Sequence, residues 1–222
     1  MTYSVDFGKL VIEEYRELLR NQNLLPGRKA LHQNLDAYFF SITKVGIKNL
    51  KELTKAISTS PKLKSFSEKT GISEDYLVLL RREIGALEPK SVYLTDFPGM
   101  DSKITDALLR AGIKASKDYY ELYTAPCDCG RVSKTLAISE DMALTLFCLC
   151  SLVRINGIGA AAARCFYEAG FRSVSDIVDA SAEDMLVKVS RVNSENHYYK
   201  AKLGTKDMQF CIDSAKILSR LS

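Results

Sequence analysis

The chain has 222 residues, of which 46% are apolar and 26% charged, and its formal net charge is +4. That length allows one large domain or two small ones with a real core. The composition is that of an ordinary soluble protein, and so small a net charge excludes a strong global basic footprint while leaving room for a local one.

The opening residues, MTYSVDFGKLVIEEYRELL, carry acids early and no continuous apolar stretch, so no secretory signal is read there. The longest apolar run, Met142 to Val153, has twelve residues, short of the about 20 that cross a bilayer. A cytoplasmic protein with no membrane contact is expected, with Cys127, Cys129, Cys148, Cys150, Cys165 and Cys211 as free thiols.

In chain order, the first punctuation is LLPGRK from Leu24, a weak glycine turn carrying Arg28 and Lys29. A corner follows at Val45-Gly46-Ile47, and Asn49 with Glu52 three residues on reads as a capping box that starts the next helix. From Lys44 to Lys69 the chain holds Lys44, Lys48, Lys51, Lys55, Lys62, Lys64 and Lys69 against only Glu52 and Glu68. This local excess exceeds the charge of the whole protein. It is the best candidate for an anionic contact, and a lysine-rich solvated helix face is the plain alternative.

GISEDYLVLL from Gly71 and AISEDMALTL from Ala137 are the same phrase 66 residues apart, each with a serine before two acids and an apolar run. Both read as N-capped helices. Phe97-Pro98-Gly99-Met100 and Ile155-Asn156-Gly157-Ile158 are matching turns, and Ala111-Gly112-Ile113 and Ala169-Gly170-Phe171 matching corners. The glycines are expected at left-handed positions that end helices. The spacing between these matches falls from 66 to 58 because the first copy carries eight extra residues within GALEPKSVYLTD. A further capped helix opens at Ser181-Asp184, and LGTKDMQFCIDSAKIL from Leu203 reads as a closing helix. No segment alternates long enough to build a sheet.

The fold class is therefore all-α, about ten helices in duplicated units. The boundaries fall at 1–70 for an N-terminal helical unit with a degenerate hairpin, 71–136 for a first core repeat, and 137–222 for a second with a C-terminal capping helix. Ile158 is expected to plug the core between the helices its turn connects.

No catalytic triad, phosphate-binding loop or metalloprotease motif is present, so no enzyme activity, cofactor or metal is expected. Cys127-Asp128-Cys129 and Cys148-Leu149-Cys150 invite a zinc reading, but residues two apart on a helix do not share a face, and zinc knuckles space their cysteines more widely. Tyr119-Tyr120, Tyr123, Tyr198-Tyr199 and Phe39-Phe40 are either stacking platforms for single strands or core packing.

These segments resemble helix-hairpin-helix motifs. The larger pattern, a GISED-type helix leading to RINGIG and then to AGFRSVSDI, resembles the bacterial family known as domain of unknown function 4332, over roughly Leu53 to Met185. The resemblance implies a helical fold and no settled activity. In DNA-binding hairpins of this kind, backbone amides meet phosphate. Carried to this chain, the contacts would be Gly157, Ile158, Gly159 and Ala160 in the RINGIG turn, Gly99, Met100 and Asp101 in the second, with Lys103 near, and Gly27 and Arg28 in the first, with Lys29 adding charge. Joined to Lys48, Lys51, Lys55, Lys62 and Lys64, they define a candidate nucleic-acid backbone interface. The competing reading is a protein-interaction adaptor or helical scaffold, self-associating as a homodimer.

Overall fold

The computed structural model describes every residue except Asn23, Leu25, Pro126 and Cys127. Among the described residues the protein is all-α. It has thirteen α-helices, three 3-10 helices and no strand, only two isolated bridges, Val11 with Asn49 and Tyr93 with Ala115. More helices appear than the roughly ten expected because some are a bare turn or two, too short for periodicity to reveal.

The chain divides into two compact units. One comprises Val5–Glu88 with Arg220–Ser222. It contains 3-10 helices at Phe7–Lys9 and Pro26–His32, and α1 (Ile12–Asn21), α2 (Leu35–Lys44), α3 (Leu50–Ala56), α4 (Ser60–Thr70) and α5 (Glu74–Gly85). The GISED helix α5 packs on α4 and on the Pro26–His32 helix, so it stays with the residues that precede it. The other unit comprises Met1–Ser4 with Pro89–Ser219. After a 3-10 helix at Leu94–Asp96 it carries α6 (Ser102–Arg110), α7 (Ser116–Tyr120), α8 (Cys129–Leu136), α9 (Glu140–Leu152), α10 (Ala160–Glu168), α11 (Val174–Val178), α12 (Ala182–Asn196) and all but the last two residues of α13 (Thr205–Leu221).

One corner geometry occurs three times. Gly46, Gly112 and Gly170 sit at φ of 92°, 79° and 97°. After the last two, the N–H of Ile113 reaches back to Leu108 O and that of Phe171 to Phe166 O, both at 2.9 Å. This bond closes a Schellman cap and satisfies a terminal carbonyl of the outgoing helix. Three residues into the next helix an acid collects amides that the new helix cannot bond. Glu52 accepts from Lys48 N–H, Asp118 from Lys114 and Ala115 N–H, and Asp176 from Arg172 and Ser173 N–H, at 2.7–3.0 Å. Ala115, where the other corners have Asn49 and Ser173, has no side chain to return the bond, yet Asp118 still holds the corner.

A second junction also recurs. Ser67 Oγ donates to Ile72 O and Ser133 Oγ to Ile138 O, across caps with Gly71 at φ 72° and Ala137 at φ 53°. Ser73 and Ser139 then cap α5 and α9 by accepting from Tyr76 and Met142 N–H.

In the second unit α9 is the centre. The apolar run that is too short for a bilayer is buried from Leu146 to Cys150 without a polar face, as a helix surrounded by others must be. It packs on α7, α8 and α10. Tyr119 and Tyr123 both donate from their hydroxyls to Ala143 O at 3.1 and 2.9 Å, and Tyr120 stacks on Phe147 with centroids 5.3 Å apart. Among the described residues no single helix is long and apolar enough to cross a membrane. The consecutive α8 and α9 are sufficient only together, and they meet at 109°.

The two glycines singled out by the sequence differ in surroundings. A Cβ on Gly170 would meet nothing within 4 Å, whereas one on Gly157, at φ 94°, would lie 2.9 Å from the Phe210 ring. Gly170→Ala is expected to cost about 1 kcal/mol of backbone strain, and Gly157→Ala roughly 2–3 kcal/mol because overpacking adds to it. In urea melts, adding Phe210→Ala should remove the overpacking part, a non-additivity absent for Gly170. Equal, additive losses at both sites would contradict the packing.

Burial also raises acid groups in this unit. It pushes the phenol of Tyr3 up to about 12, the thiol of Cys148 to about 11 and that of Cys211 to about 12. The unfolded chain releases these protons near pH 8.5–10 while the folded chain keeps them. Stability is therefore full below about pH 8 and falls as pH rises towards about 12. Urea midpoints should decline steadily above about pH 9; a flat profile to about pH 11 would be incompatible with buried, protonated thiols.

Candidate nucleic-acid interface

The three glycine turns do not have equal environments. In the RINGIG turn between α9 and α10, Ile158 N–H donates to Ile155 O at 3.1 Å with Gly157 in the third position, the position that needs positive φ in a type II turn. The Ile158 side chain is buried, as the plug reading expects. Its amide is thereby used inside the turn. Gly159 is exposed and precedes α10 in extended conformation, and Phe210 of α13 covers Gly157.

The Phe97–Met100 turn is held from behind by Arg164 of α10, whose Nε donates to Pro98 O at 2.8 Å. It borders a cavity of about 550 Å³ lined by Asp96, Gly99, Asp106 and Leu109 among others. Carboxylates on that wall oppose phosphate. Lys103 is exposed on the first turn of α6, its N–H bound by Asp101, and it does not line the cavity.

The first stretch forms no glycine turn. Residues Pro26–His32 are a 3-10 helix and Gly27 has no positive φ. Arg28 Nη1 donates to Glu83 Oε2 at 2.5 Å, and Gln22 donates to the other oxygen at 2.8 Å. Glu83 is only 4% exposed, so Arg28 is committed to neutralising a buried carboxylate. Lys29 beside it is exposed.

The lysines present a different picture. Lys44, Lys48, Lys51, Lys55, Lys62, Lys64 and Lys69 are all exposed, and none forms an ion pair among the described residues. Lys62, Ser65, Phe66 and Lys69 follow one stripe of α4 at helical spacing. This stripe faces Glu52, Lys55 and Ala56 of α3 across a groove of about 390 Å³. The structure thus brings Lys55, Lys62 and Lys69 together around an apolar floor. Lys48, Lys51 and Lys64 lie outside the groove lining, Lys51 with its stem near Gly8. Lys69 belongs to the lysine run read from the sequence as an anionic contact, and its seven-residue spacing from Lys62 places it on the same side of the helix.

The first turn of α4 contains no acid, and its N-cap residue Thr59 makes no capping bond. Its dipole therefore adds positive potential beside Lys62.

Of the aromatic candidates, Tyr119, Tyr120, Tyr123 and Phe39 are buried. Tyr198 donates to Glu168 at 2.7 Å, and Tyr199 is fastened to Asn193 through its backbone. Phe40 is 68% exposed. Cys127 lies outside the described residues. Cys129, Cys148, Cys150, Cys165 and Cys211 form no disulfide, and among the described residues no three His, Cys, Asp or Glu side chains are placed to hold a metal ion. His32 is bonded through Nε2 to Leu19 O at 2.9 Å, and His197 ends α12 at φ 55°.

The Arg28–Glu83 pair is expected to be structural. Arg28→Ala should destabilise the protein by about 3 kcal/mol, since it leaves a buried carboxylate with only Gln22 as partner. A urea titration showing less than about 0.5 kcal/mol would mean the pair is solvated, as surface pairs are.

No curated protein and no solved structure matches the chain. One family model does, over residues 98–218, described as a domain of unknown function. The match begins after the lysine surface and extends past Met185 through most of α13, so it sits later at both ends than the sequence resemblance suggests. With more than half its length covered, and with the turns and corners of that region as described, the chain belongs to the DUF4332 family.

Proposed function

We propose that this protein is a non-enzymatic binding protein of the cytoplasm that contacts nucleic-acid backbone through the α3–α4 lysine surface. The observation that carries the reading is the set of seven exposed lysines without ion-pair partners, three of them gathered around one groove. Unpaired ammonium groups at this density create a positive potential that recruits phosphate and releases its counterions. Lys55, Lys62 and Lys69 form the centre. Lys48, Lys51, Lys64 and Lys29 extend the positive surface. Free thiols at Cys148, Cys150, Cys165 and Cys211 fit a reducing compartment.

The repeated corners support a further part of this reading, that the chain is built from duplicated helix-hairpin-helix-like units. Matching positive-φ glycines, matching amide-collecting acids and the paired Ser67 and Ser133 junctions favour it. We assign Gly157, Ile158, Gly159 and Lys103 a secondary part in phosphate contact. Ile158 is the buried member among them, while Gly157, Gly159 and Lys103 are exposed; the turns otherwise serve chiefly as packing corners, given Arg164 and Phe210 behind them.

Fluorescence anisotropy with labelled DNA and RNA at two salt concentrations tests the function. With about three phosphates neutralised, affinity should fall as roughly the second to third power of salt. A variant reversing Lys55, Lys62 and Lys69 to Glu should lose both binding and that slope. If the wild type binds neither nucleic acid at low salt, or the variant binds equally well, this reading is wrong. The apolar floor of Ala56 and Phe66 then favours the alternative, an adaptor that seats an acidic helix of a protein partner or of a second copy.

A further inference from the structure

We infer that the nucleic acid taken by this surface is single-stranded, with an unpaired base stacked on Phe40. The inference rests on the backbone-binding reading above and adds the part of the ligand that a phosphate contact cannot distinguish. On α2 the buried residues are Leu35, Phe39 and Ile42, a stripe that turns Phe40 away from the core. The residue is 68% exposed. A phenyl ring has no polar atom that water could satisfy, unlike exposed Tyr93, whose hydroxyl accounts for its position at the surface. Lys44 lies one helical turn further along, at the i, i+4 spacing that puts two side chains on one face. The corner at Val45-Gly46 then leads directly to Lys48 and Lys51.

An exposed aromatic ring thus shares its helix face with the Lys44 ammonium, and Lys48 and Lys51 follow within seven residues of chain, none of the three ion-paired among the described residues. Single-strand binders combine these two elements: a base stacks on the ring and the adjoining phosphates meet the cations. In a duplex the bases are stacked on each other and present their edges, so the ring has nothing to receive. The ring adds affinity for any base, because every base has a π-face, and sequence preference is correspondingly small.

The test uses the full chain with three labelled probes: a thymidine oligonucleotide, an abasic deoxyribose-phosphate oligomer of the same length, and a duplex. Phe40→Ala is expected to weaken thymidine-oligomer binding about fivefold to a hundredfold and to leave the abasic and duplex affinities unchanged. Phe40→Trp should restore or improve the first. Because the ring is exposed, the thermal melt of each variant should match that of the wild type, which separates stacking from misfolding. If Phe40→Ala binds the thymidine oligomer as the wild type does, or weakens thymidine and abasic oligomers alike, stacking on Phe40 is refuted while backbone binding stands. If the wild type binds none of the three probes, the backbone reading falls, and this inference with it.

Discussion

Every helix leaves four carbonyls unsatisfied at one end and four amides at the other, and at three corners of this chain only five residues separate one helix from the next. That constraint organises both units. A glycine at positive φ turns the backbone so that an amide beyond the helix can reach back to it. An acid in the following first turn gathers the amides that face the other way. Because these bonds are short-range and saturating, each corner sets the local path of the chain before any side chain from elsewhere is needed. The five-residue helices α7 and α11 exist on these terms. Neither could persist alone, but both are started by an acid that accepts two amides and are held by buried residues, Tyr119 and Tyr120 in one and Ile177 in the other.

The second level is burial. In the C-terminal unit α9 is buried on every side from Leu146 to Cys150, so its neighbours enclose that stretch, and their polar atoms must find partners there. Tyr119 and Tyr123 reach a backbone carbonyl of α9. Arg154 donates to Tyr3 O and the Tyr120 hydroxyl and lies over the Tyr120 ring, its charge set against the π-face. Such a core accounts for Cys148, Cys150, Cys165 and Cys211 as packing groups: thiols held protonated by burial are poor nucleophiles and poor metal ligands. Family membership, resting on residues 98–218, is thus membership through the corners and this core.

What was legible in the sequence was local. Gly112 and Gly170 and Asn49 with Glu52 declared themselves because their bonds span five residues or fewer. What was not legible was tertiary. Pro26-Gly27 has the letters of a turn, yet the segment forms a 3-10 helix, with Arg28 bound to Glu83 and Leu31 O bound to the Tyr76 hydroxyl, partners 55 and 45 residues away. The lysine run was visible as charge, but which members meet depended on how α3 packs on α4. That packing selects Lys55, Lys62 and Lys69 and leaves out Lys48, Lys51 and Lys64. Phe39 and Phe40 are indistinguishable by composition. Only the phase of α2, set by Leu35 and Ile42, sends one inward and the other outward.

The unpaired lysines have a consequence for the unit that carries them. Seven like charges within one stretch repel one another, and this self-energy is a standing load on the folded state. A polyanion laid across them removes the load, so the bound unit is held together more firmly than the free one. Dissolved salt would relieve the same repulsion while competing for the same sites. If the proposed polyanion binding holds, the unit would be least robust in dilute buffer with nothing bound, and its folding and its occupancy would respond to ionic strength in opposite directions.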